Sequence, residues 1–211
     1  MPINIESVDP TRAALVVIDM ENDFVAPGAP FEVKAARQLL PKLKQVIGFC
    51  RDVGISVIYT THVHRRDGSD AGRFGDIYPP IADGVGLVDG TPGIEIYDEI
   101  APRPDEIVIK KHRYSAFFAT DLDVILRGRG IDTVIVAGVT TEDCCHATAR
   151  DAMFNDYHVA FLSDCTGTYD YPDMGYGELP ADEVHRSSLI ILAFSTAHVM
   201  TADELMARVA V

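Results

Sequence analysis

Apolar positions along the chain alternate between short continuous runs and longer stretches of helical spacing. The run Ala13–Ile18 is apolar, rich in β-branched residues and closes on Asp19, the pattern of a strand buried on both faces of a parallel sheet. From Val33 to Val53 the apolar residues Ala36, Leu39, Leu40, Leu43, Val46 and Ile47 recur at helical spacing, and Gly54 stands where a helix stops. Ile55–Thr60 predicts a second strand. The alternation resumes with a strand over Glu106–Ile109, a helix over Asp121–Arg129 stopped by Gly130, and a strand over Thr133–Ala137. A helix over Thr141–Phe154, a strand over His158–Leu162 and a helix over Ala181–Phe194 follow. A short strand, His198–Met200, and a last helix opened by Thr201 complete the chain.

Strands that alternate with helices imply βαβ units with right-handed crossovers, hence an α/β fold: a mostly parallel sheet between two helical layers. Only His62 to Gly93 breaks the rhythm, being rich in Gly, Pro and Asp. It predicts a long connection with at most a short helix, of the kind that often covers a site. With no internal repeat and no composition shift, the 211 residues are expected to form one domain, 1–211.

No apolar run approaches the roughly 20 residues of a membrane helix. Met1 to Pro10 carries Glu6 and Asp9 with no basic patch ahead of an apolar core, so it does not predict a secretory signal, and a cytoplasmic protein is expected. A formal charge of −14 with no basic stripe argues against nucleic acid as a partner. The four cysteines, Cys50, Cys144, Cys145 and Cys165, have neither zinc-site spacing nor the density of a disulfide scaffold. Cys50 and Cys165 lie in apolar stretches and are expected to be core.

Ligands of open α/β sheets bind at the carboxyl ends of the strands. Asp19, Lys111 and Cys144 all fall there, each just past a predicted strand. Thr141 is a candidate helix cap, which places Cys144 in the first turn, where free amides and the helix dipole favour a thiolate. Lys111 beside the sulfur favours the anion further, and Asp19 is placed to accept the thiol proton and return it to a departing nitrogen. Cys145, Ala149, Ala152 and Met153 form an apolar stripe, so Cys145 is expected to face the sheet.

These segments resemble the isochorismatase-like cysteine hydrolase family, which includes N-carbamoylsarcosine amidohydrolase, ureidoacrylate amidohydrolase and nicotinamidase-related enzymes. The resemblance rests on VVIDMENDF at Val16–Phe24, KKHRYSAFFATDL at Lys110–Leu122, GVTTEDCCHATARDA at Gly138–Ala152, and the tail from His185. It implies a Rossmann-like three-layer αβα fold with a six-stranded sheet ordered 3-2-1-4-5-6, and a cis peptide at Val139–Thr140. It implies a catalytic triad of Asp19, Lys111 and Cys144, with the backbone N–H groups of Thr140 and Cys144 as an oxyanion hole. The implied reaction is thiolate attack on a small amide, ureido or N-carbamoyl substrate, loss of ammonia or an amine, and hydrolysis of the thioester, with no cofactor. A homo-oligomer, dimer or tetramer, is implied as well.

Two positions depart from the family pattern. Nicotinamidase-like members carry an Asp two residues before a metal-binding His; here His62 and His64 stand instead, read as loop or pocket histidines and not as a metal site. Glu21 occupies a position where many relatives have Gln. Phe24, Tyr114 and Phe117 flank the triad segments and are candidate pocket walls. His112 and Arg113 are candidates to hold a substrate carboxylate or carbonyl. Two other readings stay open on the residues alone: vinyl-ether hydrolysis with Asp19 as the acid, and a thiol sensor or metal-binding protein built on Cys144, Cys145, His62, His64 and His146.

Overall fold

The computed structural model of the chain describes residues 3–210. Its elements follow the alternation in the sequence: β1 Ala13–Ile18, α1 Asn22–Val25, α2 Lys34–Val53, β2 Ser56–His62, α3 Phe74–Ile77, α4 Pro79–Ala82, β3 Ile107–Lys111, α5 Leu122–Gly128, β4 Thr133–Val139, α6 His146–Phe154, β5 His158–Gly167, α7 Ala181–Ser195, β6 His198–Met200 and α8 Ala202–Arg208. The strands form one six-stranded parallel sheet, ordered β3-β2-β1-β4-β5-β6.

Strand β1 shows why the middle of the sheet reads as a continuous apolar run. Its side chains alternate between two cores: Ala13, Leu15 and Val17 face α2 and α8 through Leu43, Ile47 and Leu205, while Ala14, Val16 and Ile18 face α5 and α6 through Leu126, Ala149 and Ala152. Both faces of the strand are dry, so each position must be apolar. Cys50 and Cys165 are buried in the first core and Cys145 in the second. Thr201 caps α8 in a reciprocal box with Glu204. No described helix is long and apolar enough to cross a membrane.

Several boundaries differ from the sequence reading, and the differences lie where the chain approaches the site. β2 extends two residues further, to His62, and β3 reaches Lys111, because polar Thr60, Thr61 and His62 are buried inside the fold and pair with neighbouring strands. The long connection contains two short helices, α3 and α4. Thr141 does not cap a helix. Thr141–Cys145 forms one wide π turn ahead of α6, and the Thr141 hydroxyl is used on His185 Nδ1, 2.8 Å away. The Val139–Thr140 peptide preceding this turn is cis.

Close approach at the end of β1 requires a glycine in β4. Gly138 has φ +117°, and a Cβ there would lie 2.1 Å from the carbonyl oxygen of Ile18. No other residue lets β4 pass this close to the point where β1 releases Asp19, which itself adopts a left-handed conformation at φ +48°.

Candidate active site

Three strand ends deliver the central groups. Asp19 leaves β1 with its own N–H directed to Thr60 O, and Thr60 Oγ1 donates to Asp19 Oδ1 at 2.6 Å, which fixes the carboxylate. Lys111, the last residue of β3, is fully buried. Its Nζ lies 2.6 Å from Asp19 Oδ2, a direct buried ion pair. The same ammonium donates to the carbonyl of Arg113 at 3.0 Å and to Cys144 Sγ at 3.3 Å. Cys144, on the π turn after β4, is 4% exposed.

Burial works against the charge of Lys111, but Asp19 and Cys144 outweigh it and hold the ammonium above its ordinary value. At the sulfur the balance falls the other way. Burial pushes the Cys144 thiol well up, with Lys111 opposing and Asp19 adding to the rise. The helix N-terminus expected to favour a thiolate is absent at this position: the sulfur sits on a π turn and is almost wholly buried. Asp19, Lys111 and Cys144 together make a buried acid, a fixed cation and a thiol within reach of one another.

A narrow cavity, about 30 Å³ in volume, opens on this group. Phe24, Phe31, Tyr78, Tyr114 and Tyr169 supply aromatic surface, Ile81 and Leu87 aliphatic surface, and His62, Thr140, Asp143 and Cys144 the polar groups. His62 Nε2 and Thr140 Oγ1 are buried without a hydrogen-bond partner in the chain. Burial and the nearby Lys111 push His62 well below its usual value, so its ring is neutral. Asp143 is half-buried; burial and the neighbouring Glu142 raise its carboxyl to about 6. Glu21, fully buried two residues beyond Asp19, has both carboxyl oxygens unpartnered, and burial followed by the Asp19 charge raises it well above 4.5.

Among the described residues, donor atoms that can hold a metal occur in two sets, Asp19–His62–Cys144 and His64–Asp70–His112. In the first, the Lys111 ammonium already lies against two of the three residues, so the cation is supplied by the chain. In the second, His112 Nδ1 is 2.6 Å from the Val63 carbonyl, and the Arg113 guanidinium donates to the Asp70 carbonyl at 3.0 Å.

Of the residues singled out from the sequence, Asp19, Lys111 and Cys144 meet one another, and Cys144 lines the cavity together with Phe24, Tyr114 and Thr140. Phe117 packs on Tyr157 at a ring separation of 5.9 Å and is not among the lining residues. His112 and Arg113 turn to the segment after β2, with Arg113 over the Phe74 ring. The sequence reading did not single out Asp143, Tyr169, Phe31 or Tyr78. Asp143 had a signal in its position beside Cys144; the aromatics sit in connections without periodicity.

The isochorismatase domain model matches residues 13–204. The chain belongs to the isochorismatase family. Nicotinamidase 3 of Arabidopsis thaliana is 35% identical, over 92% of this chain and 86% of the relative. The ureidoacrylate amidohydrolase RutB of Caulobacter segnis is 33% identical, over 75% of this chain and 74% of its own. Among solved structures, a cysteine hydrolase from Pseudomonas syringae pv. phaseolicola 1448A superposes with a TM-score of 0.94 at 36% identity, covering 99% of this chain and 96% of that one. This isochorismatase-family hydrolase thus has amidases among its homologues, and the expected fold and sheet order are those observed.

Proposed function

We propose that this isochorismatase-family chain is a cysteine hydrolase that opens a C–N bond of a small amide, ureido or N-carbamoyl substrate through a thioester on Cys144. The observation that carries the reading is the contact chain Asp19–Lys111–Cys144, at 2.6 and 3.3 Å, with Cys144 in the lining of an aromatic-walled cavity. A vinyl ether needs only an acid, and a buried thiol held against an ammonium would then have no use.

The resting sulfur is a thiol. As the substrate carbonyl arrives, Asp19 takes the Cys144 proton and the S–C bond forms, with Lys111 compensating the negative charge that passes between sulfur and carboxylate. The carbonyl oxygen becomes an oxyanion received by the backbone N–H groups of Thr140 and Cys144; loss of one such donor costs about 3 to 4 kcal/mol in the transition state. Asp19 returns the proton to nitrogen, the C–N bond breaks, and ammonia or an amine leaves. Water then gives its proton to Asp19 and attacks the thioester, the S–C bond breaks, and the sulfur recovers the proton. No metal takes part.

The decisive experiment is ammonia release from a panel of primary amides, ureides and carbamoyl compounds. Cys144→Ala should lower turnover by roughly four orders of magnitude or more while leaving the melting temperature close to the parent's. Acid quench followed by mass spectrometry should find the acyl adduct on the Cys144 peptide, and dialysis against a chelator should leave the rate unchanged. Parental ammonia release from the alanine variant would overturn the mechanism.

A further inference from the structure

Beyond the reacting groups, the cavity wall carries one carboxylate, that of Asp143. Among the described residues, no Lys, Arg or His nitrogen reaches it within ion-pair distance. Its side-chain hydrogen bond is a long one, 3.5 Å from the Tyr171 hydroxyl, which lies nearer to Glu142 at 3.0 Å. The neighbouring cations are committed elsewhere: Lys111 to Asp19, Cys144 and the Arg113 carbonyl, and Arg113 to the carbonyls of Asp70 and His112. No Lys or Arg is among the lining residues. A half-buried anion ordinarily has a partner, and the space in front of this one is walled by the rings of Tyr78, Tyr114 and Tyr169.

A second observation points into the same space. His62 Nε2 and Thr140 Oγ1, on residues each 3% exposed, have no partner in the chain, and both residues line the cavity. They are free to hydrogen-bond an amide or ureide group held over Cys144, which leaves Asp143 and the aromatic faces for the rest of the ligand. Aromatic faces beside a carboxylate attract a cation and offer nothing to an anion. The formal charge of −14 also concentrates cations around the protein and depletes anions.

Resting on the amidohydrolase reading above, we infer that the cavity selects small amides bearing an ammonium or other strongly hydrogen-bond-donating group, rejects those bearing a carboxylate, and uses Asp143 to make the distinction. The carboxylate-bearing branch of ureido and carbamoyl compounds thereby falls outside its preferred substrates.

A matched series tests this: β-alaninamide, butanamide and succinamate share a short primary-amide frame and differ in carrying an ammonium, a methyl or a carboxylate. Their kcat/KM values should fall in that order, with the ends separated on the order of 100-fold, as expected for a charge pair in a partly desolvated site. Asp143→Asn should lower the value for β-alaninamide, raise it for succinamate and bring the ratio close to one. Titration of the same three amides into Cys144→Ala by calorimetry separates the two readings. Ordered binding without turnover in the parent protein would sink the amidohydrolase reading and leave the charge preference standing. Turnover without the charge order, a ratio unchanged in Asp143→Asn, or no millimolar binding of β-alaninamide would overturn the charge preference.

Discussion

Two charged groups of side chains sit next to each other at the carboxyl edge of the sheet, and they are built differently. Asp19, Lys111 and Cys144 hang from strand ends or the turn directly after one, and are 0%, 0% and 4% exposed. His64, Asp70, His112 and Arg113 come from the connections that follow β2 and β3, and the His112 side chain is 41% exposed. The first group has its hydrogen bonds directed inward, to Thr60, to the Arg113 carbonyl and to one another. The second binds loop to loop: Arg113 reaches the Asp70 carbonyl and covers the Phe74 ring, and Phe74 packs on Tyr114 and Tyr78. A site needs both kinds of construction. Strand ends hold reacting atoms to a fraction of an ångström, whereas the loop group latches down the segment that brings Tyr78 and Ile81 to the cavity.

The largest effect should come from breaking the charge pair in the first group. Lys111→Met, made in the Cys144→Ala background so that sulfur chemistry does not enter, leaves the Asp19 carboxylate buried with only Thr60. Removing one partner of a buried pair costs about 3 to 5 kcal/mol, to be read as a lowered urea midpoint. Adding Asp19→Asn to Lys111→Met should restore most of that loss, because no uncompensated charge remains. If Lys111→Met unfolds at the same urea concentration as its parent, the pair is not what holds this region.

Glu21 gives the next effect, and its sign is set by burial. A carboxyl raised in the folded state contributes its stability in full below the unfolded value, near 4.5, and loses it as pH climbs toward the folded value. Glu21→Gln removes the titration while keeping the shape. The variant should therefore melt close to the parent at pH 4.5, then exceed it by a margin that widens to several degrees by neutral pH. A constant difference across that range would show that Glu21 ionises freely inside the fold.

The same contrast between strand and loop decides what was legible in the sequence. Ala13–Ile18 and, as far as Ala137, the strand Thr133–Val139 announce themselves because a strand covered on both faces must be apolar throughout, and the residue that ends such a run is then conspicuous: Asp19 was found in this way. His62, just past the strand predicted to end at Thr60, reads in the sequence as a loop or pocket histidine; it is a buried strand residue, and it lines the cavity. The strand order came only with the family resemblance, since periodicity does not reveal which strands are neighbours. The π turn depended on a hydroxyl choosing His185 over its own backbone, a contact 44 residues away in the chain. Tyr78, Tyr169 and Phe31 reach the cavity from connections whose course is set by packing, with no repeat to betray it.

Arg113→Ala should have the smallest effect and the most selective one. The substitution removes the guanidinium from the Phe74 ring and from the Asp70 carbonyl, but leaves the Arg113 backbone carbonyl that receives Lys111 at 3.0 Å. The first group of charges thus keeps its geometry while the loop group loses its latch. The half-buried cation–π contact and the one hydrogen bond that crosses to the loop at Asp70 are together worth about 1 to 2 kcal/mol. The segment from His64 to Ile81 should spend more time away from the cavity, raising KM by about five- to twentyfold at nearly constant kcat, because the closed form that reacts is unchanged once reached. Hydrogen exchange should quicken over Phe74–Ile81 and stay slow in β1, β3 and β4. A fall in kcat with KM preserved would mean that Arg113 acts on the reacting atoms through Lys111, and the division between a rigid strand-end group and a movable loop group would not hold.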